Sequence, residues 1–164
     1  ISPMIVPLII TSAGMFFFYS KIGLTHTYLG LILAHTALGT PFVVITVTAT
    51  LTGFDTNLIR ASQSLGADTM RTFFKVIMPL ILPGVISGGL FAFITSFDEV
   101  VVVMFIGSVE QITIPKQMWA GLRQETSPVI LCMATCLVAL SIALLTTVEM
   151  LRRRSERLRG IKLR

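Results

Sequence analysis

Two adjacent carboxylates, Asp98 and Glu99, are the side chains in this sequence with the clearest chemical potential. They directly follow an uncharged run that covers residues 76–97. A carboxylate at mid-bilayer costs on the order of 3 kcal/mol, so we expect this pair at a membrane boundary or in a cavity. The pair could attract a cationic amine, contact a partner protein or cap the short segment that follows. A structural role of the pair is favoured over contact with an amine.

Other reactive side chains lack the neighbours that chemistry requires. Cys132 and Cys136 share one helical face, but a metal site needs further ligands and none is near in sequence, so we interpret them as buried packing residues. His35 is interpreted as a hydrogen-bonded packing residue. An intramembrane enzyme would need a Ser/His or Asp/Asp pair within its spans, and no such pair is present. We therefore predict no catalytic residue, no metal and no bound cofactor.

The composition indicates a membrane protein. Charged residues make up 13% of the chain, against roughly 25% in soluble domains. Lys21 is the single charge in residues 1–51, and residues 126–148 carry none. An apolar helix of about 18 residues or more can cross the hydrocarbon core of a bilayer. The pattern predicts an all-α, polytopic helical membrane protein.

Four membrane spans are predicted, at about residues 3–18, 28–51, 76–97 and 128–151. We expect a transmembrane domain over 1–151 and a basic tail over 152–164. The chain starts without Met inside an apolar stretch, so further membrane helices are expected upstream. Residues 100–106 are apolar but too short to span, and a strand, a short helix and a re-entrant piece all remain open.

The distribution of basic residues predicts the orientation. Ten of the thirteen Lys and Arg residues lie in the segment 53–75 and the tail 152–164, which places both in the cytoplasm. The tail contains no aromatic residue for stacking on bases, so we predict contact with lipid headgroups and no nucleic-acid partner.

The third predicted span carries two further patterns. Small residues recur every four positions, which lets another helix approach closely, from this chain or from a partner. These residues are Gly84, Gly88, Ala92 and Ser96. Pro79 and Pro83 near the start of the span predict a kink, because each removes a backbone donor.

The cytoplasmic segment predicts a short amphipathic helix outside the membrane. Asp55 or Thr56 can cap its start, and Leu58, Ala61 and Leu65 share one face. Gly66 suits the left-handed conformation that ends a helix, and Asp68 or Thr69 can cap the next one. The helix is either a surface connector or a docking element for a cytosolic partner.

Residues 60–79 resemble the EAA loop of permease subunits in binding-protein-dependent ABC importers. That pattern is Glu-Ala-Ala, three residues, Gly, nine residues, Ile, one residue and Leu-Pro. Ala61, Gly66 and Pro79 match it, and Ser62, Val76 and Met78 are close substitutes. Arg60 replaces the Glu, so a salt bridge made by that Glu does not carry over. The resemblance implies an ATPase-coupling site formed by Arg60, Ala61, Ser62, Leu65, Gly66, Ala67 and Pro79.

The resemblance extends to most of the chain. The stretches ISPMIVP, LGLILAHTALGTPFVV, TSFDEVVVVMFI and IPKQMWAGLR are similar to spermidine/putrescine-type permeases. It implies a type I ABC importer transmembrane domain, with these four spans as the last four of six, in the bacterial inner membrane. Implied partners are cytosolic ATPase subunits, a second permease subunit and a periplasmic substrate-binding protein.

The implied function is ATP-driven import, with a polyamine as substrate and ATP used by the partner. This chain has no GxxxxGK[ST] loop of its own. Asp98 and Glu99 are the candidate residues of the substrate path. A permease for another small solute is the alternative, and an ATP-independent carrier or channel is a further one.

Overall fold

The computed structural model describes residues 5–124 and 128–158, and the regular elements in those ranges are helices. Their bounds are α1 (Leu8–Ile22), α2 (Tyr28–Thr52), α3 (Asn57–Ser64), α4 (Thr69–Phe97), α5 (Val101–Ile106), α6 (Ile114–Gln124) and α7 (Pro128–Leu158). One π-helical turn, Phe73–Ile77, interrupts α4. The predicted all-α fold is confirmed.

Three of the helices are long and apolar enough to cross a membrane. They are Tyr28–Thr52, Thr69–Phe97 and the Pro128–Thr147 part of α7. The first predicted span corresponds to α1, whose 15 residues extend only about 22 Å. That length is short of the roughly 30 Å hydrocarbon core. The prediction that this helix ends near Phe18 was wrong, since α1 continues to Ile22.

Helix α4 begins earlier than the uncharged run indicated. The predicted span starts at Val76, but the helix that contains it begins at Thr69, as the predicted cap at Asp68 or Thr69 indicated. The Asp68 carboxylate accepts a hydrogen bond of 2.7 Å from the Arg71 amide and caps this helix. The π turn lies just before Pro79, at the position where the sequence predicted an irregularity. A proline removes one ladder hydrogen bond, and a local π turn is one way in which a membrane helix adjusts to that loss.

The closest helix pair is formed by α2 and α4. Gly84 and Gly88 are buried against α2, and a Cβ atom built on Gly88 would lie 2.7 Å from the Val43 Cα atom. Across the same interface the rings of Phe42 and Phe91 stack with their centroids 6.4 Å apart. The predicted close approach along the small-residue stripe is confirmed, and its partner is a helix of this chain.

A second packed cluster joins α1, α2 and α5. It contains Tyr19, Ala34, Leu38, Val102 and Ile106. The Ile106 carbonyl accepts a hydrogen bond of 2.8 Å from the His26 amide, which ties α5 to the turn between α1 and α2. Of the alternatives for residues 100–106, the strand is excluded, since α5 is a short helix buried against two longer ones.

Helix α7 packs least on the rest of the chain. None of the residues 128–147 is buried. Cys132 and Cys136 are both exposed, so interpreting them as buried packing residues was wrong. The helix continues to Leu158, so the first part of the basic tail extends the last span without a break. Residues 159–164 lie outside the described residues.

Polar side chains within α2 are satisfied inside the helix. The hydroxyls of Thr36, Thr40 and Thr50 each donate to the carbonyl four residues earlier. Large apolar side chains are exposed on the spanning helices, for example Ile32 on α2 and Phe91 on α4. Hydroxyl groups bonded to their own helix, together with apolar side chains on its surface, are what a bilayer requires of a spanning helix.

Candidate functional site

The helix α3 starts from a side-chain cap. Asp55 Oδ1 accepts a hydrogen bond of 2.9 Å from the Asn57 amide. Thr56 occupies the formal cap position, but its side chain makes no capping bond. Of the two predicted caps, Asp55 is therefore the one that acts.

A glycine in the left-handed conformation ends α3. Gly66 has φ of 80°, as its place in the sequence predicted. Its amide donates to the Gln63 carbonyl at 2.9 Å, and the Ala67 amide donates to the Ser62 carbonyl at 3.1 Å. These two bonds form a Schellman motif. A Cβ atom at Gly66 would meet no heavy atom within 4 Å, so the backbone angle, not space, favours glycine.

The predicted apolar face of α3 points away from the rest of the chain. Leu58 and Ala61 are exposed, and Leu65 is 89% exposed. Met70 and Phe74 at the start of α4 are exposed as well. Single exposed apolar residues are ordinary, whereas these lie on α3 and on the first turns of the helix that follows it. We call Leu58, Ala61, Leu65, Met70 and Phe74 the docking face.

A hydrogen bond connects α3 to α4. Ser62 Oγ lies 2.9 Å from Thr72 Oγ1, and Thr72 is only 2% exposed. Sequence reasoning included Ser62 through its place in the motif but missed Thr72. A threonine ten residues further on gives no sequence signal, because the contact depends on the turn between the two helices.

The remaining motif residues occupy different surroundings. Arg60 is exposed on α3, and Ala67 is half-buried in the turn before α4. Pro79 belongs to α4 beyond the π turn. The structure thus brings residues 60–67 together as one unit and places Pro79 further along the next helix.

The two adjacent carboxylates, Asp98 and Glu99, differ in burial and in hydrogen bonding. Glu99 is 6% exposed, and its Oε1 accepts a hydrogen bond of 2.8 Å from the Val102 amide at the start of α5. This is the capping role that the sequence left as one alternative. Asp98 is exposed at the end of α4. Neither residue lines the cavity between α2 and α4.

That cavity lies between α2, α4 and the segment that precedes α6. Its volume is about 950 Å³. Its lining includes the polar residues Tyr28, His35, Thr36, Thr40, Ser96, Glu110, Gln111 and Thr113. His35 Nδ1 lies 2.8 Å from Ser96 Oγ, so the predicted hydrogen bond of His35 is confirmed, and the residue also lines the cavity. The acidic residue that lines this cavity is Glu110, which sequence reasoning did not select.

An ordered turn holds Glu110 in place. The Ser108 amide donates to Gln111 Oε1 at 2.8 Å, and the Gln111 amide donates to Ser108 Oγ at 3.2 Å. Lys116 Nζ donates to the carbonyls of Ser108 and Gln111, at 2.9 and 3.1 Å. The lysine charge thus stabilises the turn that presents the Glu110 carboxylate. Within the described ranges, no group of three or more His, Cys, Asp or Glu residues could hold a metal.

Comparison with known proteins gives relatives over most of the chain. It is 30% identical over 152 residues to the spermidine/putrescine transport system permease protein PotC of Haemophilus influenzae, covering 93% of this chain and 59% of that protein. It is 29% identical over 150 residues to the PotC protein of Escherichia coli, covering 92% and 57%. It is also 28% identical over 145 residues to the putrescine transport system permease protein PotI of Escherichia coli, covering 84% and 51%.

The chain therefore spans less than two thirds of the length of these relatives. Residues 1–157 also match the family described as binding-protein-dependent transport system inner membrane component. That match covers α1 to α6 completely, including the loop with α3 and Gly66, and all of α7 except its last residue, Leu158. The chain belongs to the family of inner membrane components of binding-protein-dependent transport systems.

Proposed function

We propose that this chain forms part of the permease subunit of an ATP-driven importer and that α3 docks on its ATPase. One observation carries the proposal. Between two helices long enough to span a membrane lies a short, capped helix whose apolar face is exposed and whose exit is set by Gly66. A partner that binds the docking face would remove its apolar surface from water.

The description of the matching family supports the partners that we propose. Cytosolic ATPase subunits bind the docking face and use the ATP, so this chain binds no nucleotide and catalyses no reaction itself. A second permease subunit completes the path, and a periplasmic substrate-binding protein delivers the solute. Arg60 stands where related loops have an acidic residue, so its contact with the ATPase differs from the one that a Glu would make.

The proposed solute is a polyamine or a similar cationic amine. The printed names of the relatives describe spermidine and putrescine transport. In this chain the cavity between α2 and α4 combines an apolar wall with hydroxyl groups and the Glu110 carboxylate. Apolar walls with a few polar groups suit a short alkyl chain that carries ammonium ends. Asp98, exposed beyond the end of α4, is a second candidate contact on the substrate path, with the buried Glu99 behind it.

Removing the charge of Glu110 should weaken uptake of a cationic amine. We expect Glu110→Gln to raise the KM for spermidine roughly ten-fold, because a hydrogen bond to a charged group contributes about 1.5 kcal/mol. Transport assays with radiolabelled spermidine in cells would measure it. Asp98→Asn is the matched comparison. A larger effect at Asp98 than at Glu110 would assign the amine contact to Asp98 instead.

The orientation is testable at two exposed positions on opposite ends of the spans. Leu65 is 89% exposed and Val109 is 90% exposed. In a background in which Cys132 and Cys136 are replaced by Ala, we expect Leu65→Cys to react with a membrane-impermeant maleimide only in inverted vesicles. Val109→Cys should react in spheroplasts. The opposite pattern would place the docking face outside the cell and contradict the proposal.

The function itself is tested by reconstitution. The full-length permease should co-purify with an ATPase subunit and should import solute into proteoliposomes only when ATP is supplied on the side of α3. Full uptake by the permease without any ATPase would identify a carrier or channel instead.

A further inference from the structure

Helix α3 carries a single charged side chain, Arg60. The side of α3 that faces the rest of the chain contains Ile59 and Ser62, which are half-buried. Arg60 lies on the opposite side and is exposed, as are Asn57 and Ser64. Residues three and four positions apart adjoin on a helix surface, so these two flank Arg60. The outward side of α3 therefore presents one positive charge among small polar residues.

The carboxylates of the same loop do not neutralise this charge. The segment 53–75 contains two acidic residues, and both cap helices. Asp55 accepts a hydrogen bond of 2.9 Å from the Asn57 amide, and Asp68 accepts one of 2.7 Å from the Arg71 amide. In the part of the chain that the structure describes, neither carboxylate forms an ion pair with Arg60. The Arg60 guanidinium is thus available to a partner.

A protein that covers the docking face must accommodate this guanidinium. Ala61 belongs to the docking face and adjoins Asn57 and Ser64, the two residues that flank Arg60. A partner seated there therefore displaces water from Arg60. A charge removed from water without a counter-charge is strongly unfavourable. A carboxylate matches a guanidinium with two parallel hydrogen bonds, whereas a groove suited to a glutamate would repel it.

We propose that the ATPase subunit that binds this chain presents an Asp or Glu carboxylate that pairs with Arg60. The inference rests on the proposed function, in which α3 docks on an ATPase. The Glu-Ala-Ala pattern has an acidic residue at this position, so the charge is reversed here and its partner carries the complementary reversal. The pair also selects the ATPase, because like charges that face each other across an interface disfavour the wrong partner.

Charge reversal at Arg60 tests the pair in the full-length complex. The probe is the ATPase subunit that co-purifies with the unmodified permease. We expect Arg60→Glu to raise the Kd of that ATPase roughly ten-fold or more, because it replaces a charge pair with a repulsion. Arg60→Lys keeps the positive charge and should bind more tightly than Arg60→Glu. A glutamate in the first turns of a helix is favourable, so α3 should stay folded in Arg60→Glu.

Arg71→Glu is the matched control for the overall charge of the loop. Arg71 is an exposed arginine of the same loop, but it lies on α4 and its amide bond to Asp68 does not involve the side chain. We therefore expect Arg71→Glu to bind the ATPase nearly as well as the unmodified permease. An equal loss of binding in Arg60→Glu and Arg71→Glu would overturn the inference, because it would indicate attraction by the overall charge.

Carbodiimide crosslinking identifies the partner carboxylate. The reagent joins a lysine amine to a carboxylate that contacts it. In the complex of the Arg60→Lys variant, we expect mass spectrometry to find position 60 joined to an Asp or Glu of the ATPase. Exchanging that acidic residue for arginine should restore binding to Arg60→Glu and should weaken binding to the unmodified permease.

Two further results would overturn the inference while the proposed function stands. One is equal binding of the ATPase by Arg60→Glu and by the unmodified permease. The other is a failure of the exchanged ATPase to restore binding to Arg60→Glu. Absence of any ATPase from the purified, unmodified permease would instead contradict the proposed function.

Discussion

Replacing Gly88 with leucine should prevent the protein from accumulating in a folded form. A Cβ atom at this position would lie 2.7 Å from the Val43 Cα atom and 3.2 Å from the Phe42 carbonyl oxygen, and it would clash with the Thr46 hydroxyl. Two of these three obstacles are backbone atoms, so no side-chain rotation relieves them. Helices α2 and α4 would have to separate along their whole contact, at a cost of about 3 kcal/mol or more.

The measurement is the yield and thermal stability of the purified full-length protein in detergent. Gly89→Leu is the matched control, because it lies next to Gly88 on the same helix and a Cβ atom there meets nothing within 4 Å. Leucine also favours a helix more than glycine does, so we expect Gly89→Leu to keep the original stability or exceed it. Equal stability of the two variants would contradict the α2–α4 packing.

Replacing Gly66 with tryptophan should abolish solute uptake while the protein still inserts in the membrane. The left-handed conformation of Gly66, with φ of 80°, costs a residue that carries a Cβ atom about 1 kcal/mol or more. The indole would also project from the turn that adjoins the docking face. Strain redirects the exit of α3 and bulk blocks the approach of the ATPase, so both effects act against docking.

Co-purification of the ATPase and uptake in cells measure this prediction. Gly66→Asn separates the two effects, because asparagine tolerates the left-handed conformation and is smaller, so we expect it to retain most uptake. Gly53→Trp places the same bulk at the other end of the loop, where φ is −91° and a Cβ atom meets nothing within 4 Å. We expect near-normal uptake from it. Full uptake and assembly in Gly66→Trp would show that this turn does not dock.

These variants probe different links of one chain of contacts. Gly66 sets the geometry of the docking helix, the Ser62–Thr72 bond connects that helix to α4, and Gly88 fixes α4 on α2. The cavity lies along the half of the same α2–α4 pair that is remote from α3, and His35 and Ser96 are bonded between the two helices there.

Features that depend on neighbouring residues were predicted well from the sequence. The uncharged runs identified α2, the outer part of α4 and α7, because a spanning helix needs an apolar exterior along its length. Gly66 and Asp68 ended and began helices as expected, because caps act through bonds to residues only a few positions away. The uncharged run 76–97 covers only part of α4, because capping by Asp68 extends the helix into a stretch that carries charge.

Side-chain partners distant in sequence were predicted poorly. Capping of the following segment was one of the roles predicted for Glu99. It could be predicted because the Val102 amide that Glu99 binds is only three residues away. Glu110, Lys116 and Thr72 were missed, since each gains its role from how a turn folds back or from which helix lies opposite. The exposure of Cys132 and Cys136 was missed because the sequence of an apolar helix does not show whether protein or lipid surrounds it.

The sequence by itself determined that the protein is a membrane protein, where its long helices lie and how the loop with α3 is capped. Composition, periodicity and helix caps each depend on residues that are close together in the chain. The tertiary structure alone decided that the small-residue stripe meets α2, that Ser62 bonds to Thr72 and that Glu110 lines the cavity. Those contacts join residues that the chain brings together only when helices cross, and the angle and register of a crossing depend on many side chains at once.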